Sequence, residues 1–323
     1  MKNLENDIFS IQNRDDFEKV ALEVFQFQKD NCIVYKDYLH ILNRPDPESI
    51  DEIPFLPISF FKTHSVLTKG IPVQFDFLSS GTTGMIRSKH SVQKPEMYER
   101  SFLSIFKDSI GDPLELVVLA LLPNYIEQGN SSLVYMVDRL IKETNSPLSG
   151  FYLNEYKELI QNYQKALEVG KKVVIFGVSY ALLDLAEVNI DLSKAQIIET
   201  GGMKGRRKEM TKEELHEVLK QGLGCQYISS EYGMTELFSQ SYSNKDGLFD
   251  IPSWMEIFIR EMNDPFHYVS EGKTGGINVI DLANLYSCSF IATQDLGKRI
   301  GNQFQLMGRF DNSDLRGCNM LVE

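Results

Sequence analysis

Apolar residues recur at helical spacing between positions 16 and 42: Phe17, Val20, Ala21, Val24 and Phe25, then Val34, Tyr35, Tyr38, Leu39 and Leu42. That spacing gathers them on one face and predicts an N-terminal helical region whose residues pack rather than react. The stretch "NRPDPESIDEIPFLP" (43–57) follows, rich in Pro and Asp, and separates this region from the rest.

The middle of the chain alternates between two periods. "KKVVIFGVSY" (171–180) is a β-branched run that predicts a strand, and "YALLDLAEV" continues from it as a helix. "AQIIETGGMKGRR" (195–207) runs from a strand into glycines. "TKEELHEVLKQGLG" then opens with a capping box, Thr211 with Glu214, and closes on Gly222 or Gly224, which predicts another helix. "QYISSEYGMTE" (226–236) is a third strand leading into a polar loop. Successive strand-then-helix units predict an α/β fold with a parallel sheet. The connections after such strands gather at one edge, where ligands bind, so "GGMKGRR" and "SEYGMTE" are expected to be neighbours.

Composition narrows the partners. The 323 residues are 42% hydrophobic and 24% charged, enough for a large core. Forty-five acidic residues against 33 basic ones give a net charge of -12, which argues against nucleic acid and anionic lipid as partners. The N-terminal segment has no apolar signal region, and no stretch approaches the ~18 apolar residues of a membrane span, so a cytoplasmic location is expected. Cys32, Cys225, Cys288 and Cys318 lie far apart with no CxxC pair, and none of the five histidines sits four residues from another. Neither a disulfide framework nor a transition-metal site is suggested.

Four segments carry candidate chemistry. "SSGTTG" offers the hydroxyls of Ser79, Ser80, Thr82 and Thr83 with two glycines, Gly81 and Gly84. Those are the parts of an anion-binding nest and equally of a polar turn; the loop is neither a Walker A motif nor a dinucleotide fingerprint. "GGMKGRRK" concentrates Lys204, Arg206, Arg207 and Lys208 after a strand, as a phosphate site or a solvated turn would. In "EYGMTE" the Tyr232 ring suits a flat base, while Thr235 and Glu236 suit phosphate orientation and Mg²⁺ ligation through hard oxygen. Asp295, in "FIATQDLGKRI", reads as a turn residue able to accept ribose hydroxyls, or simply as a turn.

Taken in order, SSGTTG, YGMTE, the Asp-Leu-Gly segment and the closing "GR…LRGCN" resemble the adenylate-forming superfamily. Within it the chain looks most like the acyl-protein synthetase family of bacterial bioluminescence, the LuxE type, with phenylacetate-CoA ligases more distant. "LPISFFKTHSV", "GNSSLVYMV" and "DLANLYSCSFIATQDLG" add to the likeness, which covers roughly residues 54 to 323.

The resemblance implies an N-terminal helical region (1–53), an adenylate-forming large domain of layered sheets flanked by helices (54–306), and a short closing segment (307–323) in place of the usual mobile C-terminal domain. It implies ATP and Mg²⁺, and a carboxylic acid, fatty in the resembling family, that is activated as an acyl-adenylate. Ser79, Ser80, Gly81, Thr82, Thr83 and Gly84 would wrap the phosphates. Gly201, Gly202, Tyr232 and Gly233 would line the adenine pocket, with Lys204 in the same nucleotide-binding set. Asp295 and Arg309 would bind ribose, Glu236 would hold the metal, and Thr235 and Glu236 would serve catalysis. Cys318, with Arg316 two residues away to favour the thiolate, would take the acyl group and deliver it to a partner such as an acyl-CoA-reductase-like subunit. The alternatives are a CoA-dependent acyl ligase or acyltransferase and a catalytically reduced nucleotide-binding scaffold. One departure concerns the cation after the glycine loop, where Arg87 and Lys89 stand in place of the usual lysine.

Overall fold

The computed structural model describes residues 4–80, 86–122, 130–153, 155–201, 207 and 210–310. The chain divides into two compact units, one made of Met1–Pro72 with Leu248–Glu323 and the other of Val73–Gly247.

The first unit begins with α1 (Leu4–Ile8), α2 (Arg14–Asn31) and α3 (Ile33–Leu42). The Asn13 side chain accepts from the Asp16 N–H and so caps α2. The helical spacing read across 16–42 is interrupted at Cys32, which takes extended backbone angles between the two helices. A short strand, β1 (Leu56–Pro57), and a single turn, α4 (Phe60–Thr63), follow.

The second unit opens with a hairpin, β2 (Phe75–Leu78) and β3 (Lys89–Val92), then α5 (Pro95–Ser109) and β4 (Leu116–Leu121). Next come α6 (Ser132–Glu143), β5 (Gly150–Phe151), α7 (Tyr156–Glu168), β6 (Lys172–Val178), α8 (Ser179–Ala186) and β7 (Ala195–Thr200). The unit ends with α9 (Lys212–Leu223), β8 (Ser229–Tyr232) and β9 (Ser241–Tyr242). The strands order as β5-β4-β6-β7-β8-β9, with every pair parallel except the last. The "LVVLAL" run of β4 is buried throughout, the mark of a strand covered on both faces.

Both ends of α9 follow from sequence: the Thr211–Glu214 capping box closes reciprocally, and Gly224, not Gly222, forms the left-handed cap. The third strand, β8, runs as expected into a polar connection; residues 233–240 lead from it to an antiparallel return strand.

The first unit resumes with β10 (Phe249–Asp250), β11 (Met255–Arg260), β12 (Gly275–Asp281), β13 (Phe290–Ile300) and β14 (Gln303–Arg309). They order as β10-β14-β13-β12-β11, and β1 adds to β13 in parallel. Phe290 of β13 anchors this core: its ring stacks on Tyr35 at 5.8 Å and meets Phe25 and Phe55 edge-on. A buried ring of this kind contributes about 2–3 kcal/mol. Beside it Gln28 of α2, fully buried, donates to the carbonyls of Asn284 and Leu285 and to Ser289 Oγ, and accepts from the Ser289 N–H. The helix is thereby fixed to the segment between β12 and β13 by a fully used amide.

Candidate functional site

The strands that lead into two of the motif-bearing segments, β7 and β8, are parallel neighbours in the second unit. Their register pairs Ile198 with Ser229 and Glu199 with Ser230, so both strands end side by side. Gly201 follows β7 with φ of 75°, a left-handed turn that glycine adopts at no steric cost. Tyr232 is the last residue of β8, and Gly233 follows it. A Cβ at Gly233 would collide with Glu231 Oε1, so the backbone approaches that carboxyl as only glycine allows. Tyr232 is 5% exposed and Glu236 6% exposed, both set into the unit rather than standing on its surface.

The glycine loop joins the same region through its stem. The Ser79 N–H donates to the Ser88 carbonyl at 2.9 Å, and the Ser88 N–H donates back to Ser79 Oγ at 2.9 Å. Ser80, beyond this stem, is exposed. In the adjoining hairpin strand His90 is fully buried, its Nδ1 lies 2.8 Å from the Thr235 carbonyl, and its ring stacks on Phe238 with centroids 4.8 Å apart. Burial holds this imidazole down at about 4, so it is neutral and its Nδ1–H donates to the carbonyl. His90 thus ties the hairpin that carries SSGTTG to the connection that carries YGMTE. Composition alone gave no reason to single it out; its signal is two residues of spacing from Ser88.

The second missed feature is a charged cluster at the ends of β7 and β8. Glu199, 0% exposed, accepts from Ser179 Oγ, from Lys212 Nζ and, at 3.1 Å, from Ser230 Oγ. His216 Nε2 lies 3.1 Å from Ser230 Oγ and 3.9 Å from the Glu199 carboxylate. Burial works against the Glu199 charge, yet Lys212 together with His216 and Ser179 holds the carboxyl down at about 2. One residue further along, Thr200 Oγ1 donates to Glu231 Oε2. Burial, with a contribution from the Glu199 charge, pushes the Glu231 carboxyl up to about 7, against the Thr200 hydrogen bond and Lys212.

The cations expected to serve the nucleotide divide. Lys89 Nζ stands 3.9 Å from Asp76, a loose pair beside the hairpin. Arg207 is committed elsewhere, to Asp184 and Glu187 at the end of α8, as a surface ion-pair cluster.

In the first unit Asp295 and Arg309 face each other across β13 and β14, with Arg309 Nε 2.9 Å from Asp295 Oδ1. Asp295 is not a turn residue: it lies inside an eleven-residue strand, 5% exposed, one position before a register shift between Leu296 and Gly297. The partner arginine across the ladder offsets the poor strand preference of an aspartate, and the register shift leaves Met307 of β14 without a partner in the ladder.

Gly81, Thr82, Thr83, Gly84, Gly202, Lys204 and Cys318 lie outside the described residues. The other three cysteines are buried; burial pushes Cys32 and Cys225 up to about 11 and Cys288 well above the usual thiol range. None of these three offers a thiolate at neutral pH. Among the described residues no group of three or more His, Cys, Asp or Glu side chains could hold a metal ion, and no helix is long and apolar enough to cross a membrane.

No protein-family model matches the chain. No curated protein matches it in sequence. Solved structures do match. ATP-bound MatB from Rhodopseudomonas palustris is 15% identical with a TM-score of 0.55, over 75% of this chain and 49% of that one, so this chain spans about half of MatB's length. 2-Hydroxyisobutyryl-CoA ligase, in complex with 2-HIB-AMP and CoA in the thioesterification state, is 13% identical with a TM-score of 0.67, over 94% of this chain and 70% of that one. The same ligase in its postadenylation state with 2-HIB-AMP gives 12% and 0.66 over the same shares. These neighbours are adenylate-forming enzymes, and the α/β architecture of this chain is that of their large domain.

Proposed function

We propose that the protein activates a carboxylic acid with ATP as an acyl-adenylate and passes the acyl group to a protein thiol, Cys318, for delivery to an acyl-accepting partner. The observation that carries this reading is the convergence, on a fold shared with ligases captured with ATP and with an acyl-AMP, of the SSGTTG stem and the YGMTE segment through the His90–Thr235 contact.

In the first half-reaction a carboxylate oxygen attacks the α-phosphorus, the bond to the β-phosphate oxygen breaks, and pyrophosphate leaves. The barrier is repulsion between an anionic nucleophile and an anionic phosphate, so donors and cations placed in advance contribute most. Ser79 to Gly84 are assigned to the phosphates, Gly201, Gly202, Tyr232 and Gly233 to adenine, and Asp295 and Arg309 to ribose. Lys204 joins the nucleotide set, and Thr235 positions phosphate.

A single buried carboxylate, Glu236, suits Mg²⁺, which takes few protein ligands and keeps the rest of its shell for phosphate oxygens and water. When bound, Mg²⁺ supplies charge neutralisation on the triphosphate. In the second half-reaction the Cys318 thiolate attacks the acyl carbonyl, a thioester forms, and AMP leaves with the electron pair of the broken anhydride bond. The elevated thiols of Cys32, Cys225 and Cys288 favour Cys318 for this role.

The structural neighbours bound to CoA favour a second reading, in which free CoA is the acceptor. Acid-dependent exchange of pyrophosphate into ATP, over a panel of acids from short hydroxy acids to long-chain fatty acids, tests adenylation itself. Absence of exchange with every acid sinks both readings in favour of a nucleotide-binding scaffold. Labelled acyl group retained on protein without CoA selects the first.

A further inference from the structure

Glu231 belongs to no part of the reaction described above, yet its carboxyl group lies between Thr200, which precedes the Gly201 turn, and Gly233. The parallel register that pairs Glu199 with Ser230 sets Thr200 beside Glu231, and Thr200 Oγ1 donates to Oε2. Oε1 occupies the place where a side chain on residue 233 would begin. Gly201 directly follows Thr200, and Gly233 follows Glu231 by two residues, so one carboxyl group lies beside both glycine positions.

We propose that Glu231 is a positioning residue for the nucleotide: its carboxyl group bridges Thr200 and the Gly233 backbone and sets the spacing between the Gly201 turn and Gly233. The proposal rests on the assignment of those glycines to the adenine pocket.

The groups that face Glu231 are Glu199 on β7, Lys212 on α9 and Tyr242 on β9, with His216 next to Glu199. Glu199 is already ionised and neutralised chiefly by Lys212, so a second negative charge here has no cation of its own. At pH 6 Glu231 is protonated and bridges as a neutral hydrogen-bonding group. Ionisation above about 7 places an unmatched anion beside the Gly201 and Gly233 backbone assigned to adenine, which disfavours entry of an anionic nucleotide.

The test is calorimetric titration of the full-length protein with Mg²⁺-ATP at pH 6 and pH 8.5, for wild type, Glu231→Gln, Glu231→Ala and Thr200→Val. Expected are a loss of affinity in the wild type of about fivefold to tenfold between the two pH values, equal affinities at both values for Glu231→Gln, and weakened binding at both for Glu231→Ala and Thr200→Val. A Glu231→Gln protein that loses affinity with pH as the wild type does overturns the proposal, as does a folded Glu231→Ala protein that binds like wild type. If Glu231→Ala does not fold, the Glu231→Gln comparison decides.

A separate readout isolates the carboxyl from the nucleotide. Its raised value means that the folded state holds a proton which the unfolded state has released above about 4.5. Stability from this group is therefore present below 4.5 and is lost as pH rises to 7. In urea unfolding the wild type should lose stability relative to Glu231→Gln as pH rises from 4.5 to 7; identical pH profiles of the two proteins overturn the bridging role. Failure of every protein, wild type included, to bind ATP refutes the nucleotide-site reading instead, and the positioning role with it.

Discussion

The imidazole Nδ1 of His90 lies 2.8 Å from the main-chain carbonyl of Thr235, 145 residues away in sequence. A strand that begins just after the glycine loop thus holds the backbone at the threonine of YGMTE. Because the ring is buried and its value is lowered to about 4, the unfolded chain takes up a proton below 6.5 that the folded chain refuses until about 4. Stability from His90 is complete above 6.5 and is lost as pH falls through that window, by at most about 3 kcal/mol. Replacement His90→Asn keeps a donor and removes the titration. The change in unfolding free energy from pH 4.5 to pH 7, read by urea, should be less favourable in His90→Asn than in the wild type by about this amount, and an identical change in both contradicts the assignment.

Lys212 is the cation closest to a carboxylate with no access to water. Lys212→Met strands Glu199, and a loss of about 3 kcal/mol is expected. Lys212→Met combined with Glu199→Gln should recover a good part of it, since the uncompensated charge is gone. Equilibrium unfolding of the single and double variants checks this, and a double variant weaker than the sum of its parts contradicts it.

For the Asp295–Arg309 pair, stability and function are expected to separate. Arg309 is 69% exposed, so Arg309→Ala should cost under about 1 kcal/mol. If the pair serves ribose, the same variant raises the KM for ATP in the exchange assay about tenfold while leaving the KM for the acid in place. An unchanged KM for ATP removes the pair from the nucleotide site.

The two half-reactions predict a clean division at Cys318. Cys318→Ala should retain acid-dependent pyrophosphate exchange and lose acyl-protein, read by intact mass with a hydroxylamine-labile adduct. Cys225→Ala, at a thiol pushed up to about 11, should keep both. Acyl-protein that survives in Cys318→Ala reassigns the acceptor.

Glu236→Gln removes one anionic oxygen and keeps the shape of the side chain. Exchange in this variant should need about tenfold more Mg²⁺ for half-maximal rate, as expected when an ion loses its protein ligand but keeps its phosphate ligands. An unshifted Mg²⁺ titration takes the metal role away from this residue.

Local signals were readable before any coordinates. The α9 capping box and the succession of β6, α8, β7 and α9 follow from residues within a few positions of one another. Non-local partners were not. Glu199 and Glu231 look like ordinary polar residues beside glycines until the β7–β8 register brings Thr200 against Glu231. Asp295 suggested a turn because Asp-Leu-Gly is turn chemistry, and only the opposing Arg309 explains why the strand runs through it. The break at Cys32 was hidden because apolar spacing continues on both sides of it. The continuous burial of "GGINVID" in β12 removes the alternation by which antiparallel strands are usually found.

Gln28 has a consequence for the order of synthesis. Its four hydrogen bonds run to residues 284, 285 and 289, between 256 and 261 positions ahead of it. A ribosome making this chain at ~5–20 residues per second exposes α2 for roughly 13 to 50 s before those partners exist. During that interval the apolar face that will meet Phe290 has no native cover. The second unit, whose residues are contiguous, can complete its own sheet meanwhile, so the N-terminal helices are the part of the molecule that must be kept waiting.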